Sequence, residues 1–481
     1  MRRAPVDERH ARVTAAVKES AVGGGPRDHA HSPAPAVSAP LPASVRLGYG
    51  LGSLCTGTFP TVPGLLLLYY LTNVMAVPAA LAGVALFLPK AWDVLVNPVV
   101  GAVCDRSRLR GGPRRPFLLA GALTLPPLFA LIFAAPPVRG TAAAAYVAVL
   151  FLLAATSYAV FQVPYVAMPA ELTHDSGERG RLLAWRVGFL GVAILLSGAA
   201  APAIAHAGGD TPGSYRLMGV AVAAVLAFGM LAAWHGTRKA PAVSHTTAEP
   251  SLRAQLTAAR SNRPFLYLAG MWAVQALAIG VMLAGVQYFA TYVLGSASAV
   301  TPLFVCMIGP LALVMPLWNR LARARGVKYA QFCASWVFLG ATVVLVLTPW
   351  AGAWPAYATI ASVGIAYGGM QLLPLRMLAD NLAADAVRTG RQRAATFTGL
   401  WTAVETLAFA LGAGAFAAVL AVSGFRSSDA AHAVDQPASA LTGIVLGMSV
   451  LPAVLALVSL WLLSRYTDVP APATVKDERR P

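Results

Sequence analysis

The feature that most constrains this chain is a succession of long apolar runs. A membrane-spanning helix needs about 20 mostly apolar residues, because the hydrocarbon core of a bilayer is about 30 Å thick. Twelve runs meet this length, near residues 46–73, 80–104, 116–136, 142–169, 183–206, 215–235, 264–292, 298–318, 328–348, 354–378, 395–423 and 440–464. The pattern predicts an all-α membrane protein with twelve transmembrane helices.

The composition supports this class. Of the 481 residues, 57% are hydrophobic and 11% are charged, whereas a soluble protein carries about 25% charged residues. The formal net charge of +17 does not indicate nucleic acid, because the basic residues lie in short loops between the apolar runs. We therefore expect the lipid bilayer as a partner and no nucleic acid.

The apolar runs form two sets of six. The sequence predicts an N-terminal bundle at 46–235, a polar and basic cytoplasmic linker at 236–263, and a C-terminal bundle at 264–466. Residues 1–45 and 467–481 contain no apolar run, so both are predicted to be disordered tails. Lys and Arg are concentrated in alternate loops, which places both termini in the cytoplasm of an inner membrane.

The two halves repeat each other. PYVAMPAELTHDSGERGR, which starts at Pro164, aligns with PLRMLADNLAADAVRTGR, which starts at Pro374, at an offset of 210 positions. Proline, aspartate, glycine and arginine recur at matching places in the two stretches. Parallel six-helix repeats imply a pseudo-two-fold axis and a central site between two bundles, with access alternating from side to side.

One acidic residue lies inside the second apolar run. Asp93 is followed at steps of four by Asn97, Gly101 and Asp105, and Lys90 precedes it by three residues, so all of these share one helix face. An acid inside a membrane helix is energetically costly and usually marks a path for ions or substrate. We therefore predict a coupling site at Asp93, Asn97 and Lys90. A buried acid neutralised by Lys90 or Arg186 for structure alone is the alternative, and Asn97 could be an interhelical hydrogen bonder.

Three stretches resemble one transporter family. They are KAWDVLVNPVVGAVCDRSRLRGGPRRPFLLAGA, YAVFQVPYVAMPAELTHDSGERGRLLAWR and LPLRMLADNLAADAVRTGRQRAATFTGLW. They are similar to the major facilitator superfamily and, within it, to the melibiose permease-like glycoside–pentoside–hexuronide:cation symporters. The resemblance covers residues 46–466. It implies a secondary transporter that holds a coupling cation on its second helix and a glycoside in a central cavity.

The resemblance also implies roles for the acidic face. Asp93 corresponds to a principal cation-binding carboxylate of the family, and Asn97 stands where a second carboxylate is expected. Val96 and Ala159 stand where the family has further polar ligands. One carboxyl is sufficient to exchange a proton, whereas Na⁺ prefers several oxygen ligands. We therefore expect H⁺ as the coupling ion, at most weak Na⁺ binding at Asp93, and no cofactor.

The substrate positions carried over from the family depart from its pattern. The family's two sugar-binding carboxylates correspond here to Gly57 and Gln162, although its fifth-helix arginine is matched by Arg186. The predicted substrate-binding residues are Thr56, Gly57, Gln162, Arg186, Glu405 and Thr406. The substrate expected from the resemblance is a glycoside or related small organic solute. An exporter or flippase of an amphiphilic, lipid-like compound is the alternative that the missing acids leave open.

Charged residues in the predicted cytoplasmic loops resemble the gate motif of the superfamily. The predicted gate residues are Asp105, Arg106, Arg110, Asp175, Arg181, Asp380, Asp385 and Arg391. In such a gate, loop charges pair across the bundles in one conformation and separate in the other. A solvated loop surface is the alternative interpretation.

Other classes of function find less support. A membrane-embedded enzyme would need clustered His, Asp or Glu at catalytic spacing, and His206 and His235 lie far apart near span ends. A sensor on a transporter scaffold would normally carry an added signalling domain. We therefore expect a transporter that is not an enzyme and that works as a monomer.

Overall fold

The structure is a computed structural model. It describes residues 41–106, 114–172, 176–238, 257, 260–389, 394–428 and 434–467. Nearly all of both predicted tails and most of the predicted linker lie outside these residues. Within the described part, twelve helices are long and apolar enough to cross a membrane, which confirms the predicted fold class.

Six helices form the N-terminal bundle. They are α1 (Ala43–Asn73), α2 (Ala79–Arg106), α3 (Arg115–Ile132), α4 (Gly140–Leu172), α5 (Ser176–Ala207) and α6 (Pro212–Gly236). The C-terminal bundle follows the same order with α7 (Arg263–Val293), α8 (Val300–Arg325), α9 (Val327–Ala351), α10 (Ala353–Thr389), α11 (Ala394–Val422) and α12 (Ala438–Arg465).

Two helices extend well beyond the apolar runs that predicted them. The run at 354–378 becomes α10, which continues to Thr389, and the run at 183–206 becomes α5, which begins at Ser176. A helix satisfies its own backbone hydrogen bonds, so it continues into water wherever its residues favour helix. Apolar length therefore predicts the buried part of a helix and not its ends.

Proline lies next to two of the departures from regular α geometry in the membrane helices. In α1 a π-helical turn covers Pro63–Leu67, directly after Pro60 within the preceding α-helical segment. In α12 the helix is interrupted at Ser449, three residues before Pro452. Proline has no N–H to donate and its ring clashes with the carbonyl four residues back, so both irregularities follow from the local sequence.

The helix ends define two sides of the molecule. The odd-numbered helices begin, and the even-numbered helices end, on what we call the linker side, because α6 ends and α7 begins there. The opposite side is called the far side. Large apolar side chains cover the outer surface, and Leu313, Trp350, Trp354 and Val422 are 80–91% exposed. Such a surface is suited to lipid.

Within each bundle, glycines bring helices into close contact. A Cβ added at Gly48 in α1 would lie 2.6 Å from the Cα of Gly236 in α6. Between the bundles, α2 packs against α11, α5 against α8, and α1 against α7. Under the two-fold relation between the halves, α2 corresponds to α8 and α11 to α5, so the first two contacts are equivalent. Pro164 and Pro374 lie inside α4 and α10, as the repeat requires.

Candidate coupling and substrate site

An ion pair lies midway along α2. The Nζ of Lys90 is 3.7 Å from Oδ2 of Asp93, and Asp93 is only 5% exposed. The other carboxylate oxygen, Oδ1, is buried and has no hydrogen-bond partner among the described residues. The i,i+3 spacing brings the two charges together, as the sequence predicted. The free oxygen can accept a proton, or a hydrogen bond from a donor.

Aromatic rings surround the lysine of this pair. The Nζ of Lys90 lies 5.6 Å from the ring centre of Phe59 in α1 and 5.9 Å from that of Phe151 in α4. Phe59 in turn stacks on Tyr158, with ring centres 4.5 Å apart. Cation–π contacts of this kind favour the charged ammonium. The structure thus surrounds Lys90 with ring faces from two neighbouring helices.

On the linker side of Asp93, the contact between α2 and α4 is apolar. Val100, Cys104 and Ala159 form a buried cluster to which Val96 also belongs. Asn97, one turn beyond Asp93, is half-buried. The side chains next to the carboxylate in this direction are therefore mostly apolar, and the nearest polar group along the helix face is the Asn97 amide.

Arg186 of α5 lies beside the contact between α1 and α4. Its guanidinium carbon is 5.8 Å from the ring centre of Tyr165, and its Nε is buried without a hydrogen-bond partner among the described residues. The Tyr165 hydroxyl lies 2.7 Å from the Tyr49 carbonyl oxygen and 2.9 Å from Oγ of Ser53. Arg186 and Asp93 are not in contact, but both act electrostatically on Tyr158. A buried Nε–H group that lacks a partner can donate a hydrogen bond to an acceptor atom of a bound solute.

The remaining predicted substrate positions of the N-terminal bundle have different surroundings. Gln162 is half-buried on α4, three residues before Tyr165. Thr56 is buried on α1 and its hydroxyl donates to the Ser53 carbonyl. Gly57 is a packing contact, since a Cβ there would lie 2.7 Å from Cβ of Ala193 in α5.

Glu405 and Thr406 lie in the other bundle, half-buried on α11. Glu405 is within electrostatic reach of Tyr367 on α10, and the Tyr367 hydroxyl accepts a 2.5 Å hydrogen bond from Gln371. No ion pair of the described residues includes Glu405. The candidate site therefore has one acid in each bundle, and only Asp93 has a basic partner.

Two of the predicted gate charges, Arg181 and Asp385, pair within their own bundle. Arg181 contacts Glu178 at 2.7 Å, and Arg46 lies 3.9 Å from the same carboxylate. In the C-terminal bundle Asp385 contacts Arg388 at 2.9 Å and accepts a 3.4 Å hydrogen bond from Asn262. Among the described residues no ion pair crosses from one bundle to the other.

The other predicted gate residues are less completely placed. Arg110, Asp175 and Arg391 lie outside the described residues. For Asp105 and Arg106 the structure describes only the backbone, which ends α2. Asp380 lines a cavity of about 390 Å³ on the linker side, together with Lys328 and Tyr466.

Sequence reasoning missed two polar residues with clear roles. Glu178 is 3% exposed and binds two arginines, and its signal was the i,i+3 spacing to Arg181. His206 on α5 contacts Asp210 at 2.6 Å through Nδ1. Its Nε2 lies 3.0–3.2 Å from the side-chain amide of Gln287 on α7. The four-residue spacing to Asp210 was visible in the sequence, whereas the contact with the other bundle was not.

Comparison with known proteins places this architecture in a family. A family model described as MFS/sugar transport protein matches residues 48–467. An uncharacterised symporter of Bacillus subtilis, YjmB, is 25% identical over 440 residues, which cover 90% of this chain and 94% of that protein. A putative glycoside/cation symporter of Escherichia coli, YagG, is 34% identical over 173 residues, 35% of this chain and 37% of that protein.

A solved structure shares the fold. A bacterial homologue of the human lysosomal transporter Spinster, in an inward-facing and unoccupied conformation, superposes with a TM-score of 0.67 at 16% identity. The superposition covers 89% of this chain and 98% of that one. At this identity the likeness shows the arrangement of the helices.

Proposed function

The chain belongs to the MFS/sugar transport family of the major facilitator superfamily, among the glycoside–pentoside–hexuronide:cation symporters, and we propose that it carries a glycoside or related small organic solute coupled to H⁺. It is a multi-pass membrane protein and a secondary transporter of small molecules. The proposal concerns the solute class, the coupling ion and the residues that serve them.

The observation that carries the proposal is the state of Asp93. Its carboxylate is buried midway along α2, has Lys90 on one side and has one oxygen without a partner. A carboxyl with a free oxygen can gain a proton there and lose it again. Because α2 packs on both α4 and α11, the charge at Asp93 acts on a helix shared by the two bundles.

The surroundings of Asp93 favour H⁺ over Na⁺. Hard cations require several oxygen ligands, but Val96 and Ala159 belong to an apolar cluster beside the carboxylate. The Lys90 ammonium, 3.7 Å from Oδ2, would repel a second cation in the same place. A proton needs only one oxygen atom and no set of surrounding ligands.

The contacts between the bundles support a mechanism of alternating access. The bundles are joined on the far side, and the described ion pairs of the linker side stay within one bundle. With both termini in the cytoplasm, this conformation faces inward. Reversal would separate the far-side contacts and bring the linker-side charges together across the bundles.

Uptake into proteoliposomes tests the coupling. A thermal-shift screen across uncharged glycosides identifies a ligand, and its radiolabelled form is the transport probe. We expect a pH gradient to drive accumulation with little response to Na⁺. Asp93→Asn should abolish uphill accumulation while some downhill exchange remains, because the neutral amide cannot carry the proton. Asp93→Glu, which keeps the carboxyl, should retain part of the coupling.

Two results would defeat this proposal. The first is strong stimulation by Na⁺ at fixed pH, and the second is full uphill transport by the Asp93→Asn protein. A third result, stabilisation by amphiphiles alone together with proton-driven efflux, would replace the glycoside symporter with the exporter or flippase.

The orientation is tested by labelling the two ends of one helix. Arg325 at the linker-side end of α8 and Ser296 before its far-side start are both exposed. In a background without the four native cysteines, Ser296→Cys should react with an impermeant maleimide added to intact cells. Arg325→Cys should react only after the cells are opened. The reverse pattern would place the termini outside.

A further inference from the structure

A groove on the linker side concentrates positive charge. It has a volume of about 640 Å³ and is lined by α8 and α10 through Met315, Pro316, Asn319, Arg320, Arg323 and Arg376. We call it the arginine groove. Arg320 and Arg323 are exposed, whereas Arg376 is half-buried. None of the three was among the predicted site residues.

No acid compensates these three charges in the described part of the chain. The ion pairs found there use Asp93, Glu178, Asp210 and Asp385, and none of them involves the groove. Asp380, one turn after Arg376, lines the separate cavity beside Lys328. Arg376 instead donates to the neutral Oδ1 of Asn319 at 3.1 Å. Within the described residues, the groove therefore contains three guanidinium groups without a bound carboxylate.

The position of the groove along α8 places it in the cleft between the bundles. On the far side, Thr301 of α8 donates to the Ala199 carbonyl of α5 at 3.3 Å, and Phe304 fills the space at Gly198. Asn319 follows Thr301 by five helical turns, so it lies on the α5-facing side of the helix. By the same count, Met315 follows Phe304 by three turns.

The matching face of α5 is open at this level. Val187 precedes Gly198 by three turns and is 63% exposed. Helices α5 and α8 thus touch on the far side and leave the same faces uncovered toward the linker side. The arginine groove lies on one wall of this opening.

The donor set is suited to an oxyanion. Guanidinium groups bind carboxylate, sulfonate or phosphate through two parallel hydrogen bonds. Because Oδ1 of Asn319 accepts from Arg376, its Nδ2 is left as an additional donor. Exposed arginines near a helix end can also serve phospholipid headgroups, which present the same phosphate chemistry.

We propose that the arginine groove is a binding site for an oxyanion, carried either by a solute in the linker-side cleft or by an anionic lipid headgroup. Its place on the transport path rests on the proposed function, but its anion binding does not. The groove thereby adds an anionic group to the chemistry that this transporter recognises.

The test uses the purified full-length protein with sulfate as the simplest probe. Thermal unfolding is followed against sulfate concentration at constant ionic strength. Arg376→Gln and Arg323→Gln should each raise the sulfate concentration at half-effect about tenfold, since each removes a charge-assisted contact. Arg376→Lys should raise this concentration less, because lysine keeps the positive charge. Arg465→Gln removes an exposed linker-side arginine outside the groove and should change nothing.

A second arm separates the two sources of the anion. The same variants are compared in nanodiscs of phosphatidylglycerol and of phosphatidylcholine. Sulfate stabilisation of equal size in the two kinds of nanodisc assigns the site to a solute, because the anionic headgroup then does not compete for it. Stabilisation by phosphatidylglycerol alone, lost in Arg323→Gln, assigns it to a lipid headgroup.

Two results would overturn the site, namely no response to either probe and an equal loss in the Arg465→Gln control. Elution of Arg323→Gln at the wild-type volume on size exclusion excludes misfolding as the cause of a loss. Sulfate stabilisation is measured without transport, and proton-driven uptake of an uncharged glycoside by the wild-type protein tests the symport proposal separately. Failure of the groove and failure of the symport proposal are therefore distinguishable.

Discussion

The far side and the linker side of this transporter are held by different chemistry. On the far side neutral groups join the bundles. The hydroxyls of Thr72 and Tyr288 are 2.7 Å apart, and Asn73 donates to the Tyr292 hydroxyl at 2.9 Å. The backbone N–H of Ser428 also donates to the Thr72 carbonyl at 2.9 Å. On the linker side the described ion pairs stay within a bundle.

This difference shows how a closed side can open again. A neutral hydrogen bond contributes about 0.5–1.5 kcal/mol net, because water replaces the lost partner. Several such bonds close the far side without making the closure irreversible. On the linker side, Glu178 and Asp385 keep their charges paired while the bundles are apart, so neither carboxylate is left buried and unpaired.

The largest expected effect comes from locking the far side. In the cysteine-free background, Thr72→Cys and Ser428→Cys place two thiols where the backbones already meet. A short bifunctional thiol reagent should join them and abolish transport, because the far side can no longer open. Reduction of a cleavable reagent should restore it.

A linker-side pair sharpens the same comparison. Val187→Cys and Met315→Cys lie on the facing walls of the open cleft and should not be joined in this conformation. They should become joined when a substrate gradient drives turnover. Equal cross-linking of both pairs at rest would contradict the closed and open sides described above.

A smaller effect is expected from a single methyl group on α2. A Cβ at Gly83 would lie 2.7 Å from Cβ of Ala417 on α11, whereas at Gly101 the nearest atom is 3.7 Å away. Overpacking costs about 1–3 kcal/mol, so Gly83→Ala should slow transport about tenfold and expose far-side cysteines to maleimide. Gly101→Ala is the matched control, and a similar loss there would show a general sensitivity of α2.

The smallest expected effect concerns the contact of His206 with Gln287. Gln287→Leu removes one hydrogen bond between the bundles, worth about 1 kcal/mol, and should raise far-side labelling about fivefold. Gln275→Leu on the same helix removes hydrogen bonds to Ser335 and Ser459, which lie in the same bundle. It should lower the unfolding temperature and leave the labelling unchanged. Equal labelling of the two variants would show that the contact of His206 with Gln287 does not help to close the far side.

Much of the fold could be predicted because its signals are local. The apolar runs correspond to twelve helices, and the three-residue spacing from Lys90 to Asp93 correctly placed the two charges side by side. The resemblance to cation symporters is confirmed by the family match over residues 48–467. The helix ends were predicted less well, since α5 and α10 continue past the membrane into polar sequence.

The candidate site was predictable only in part. Asp93 was found because an acid in an apolar run is conspicuous. The rings around Lys90, the packing role of Gly57 and the arginine groove depend on which helices become neighbours. Phe59, Phe151 and Lys90 come from three helices, and no periodicity within one helix records that meeting.

By itself, the sequence determined the number of helices, the two-fold repeat and the buried acid, because apolar length and i,i+4 spacing act within a single helix. Only the tertiary structure decided which side is closed. His206 and Gln287 are 81 residues apart, and Thr72 and Tyr288 are 216 apart. Contacts at such separations follow from how whole helices pack. In a transporter that packing differs between conformations, so one sequence must be compatible with both arrangements and specifies neither through local pattern alone.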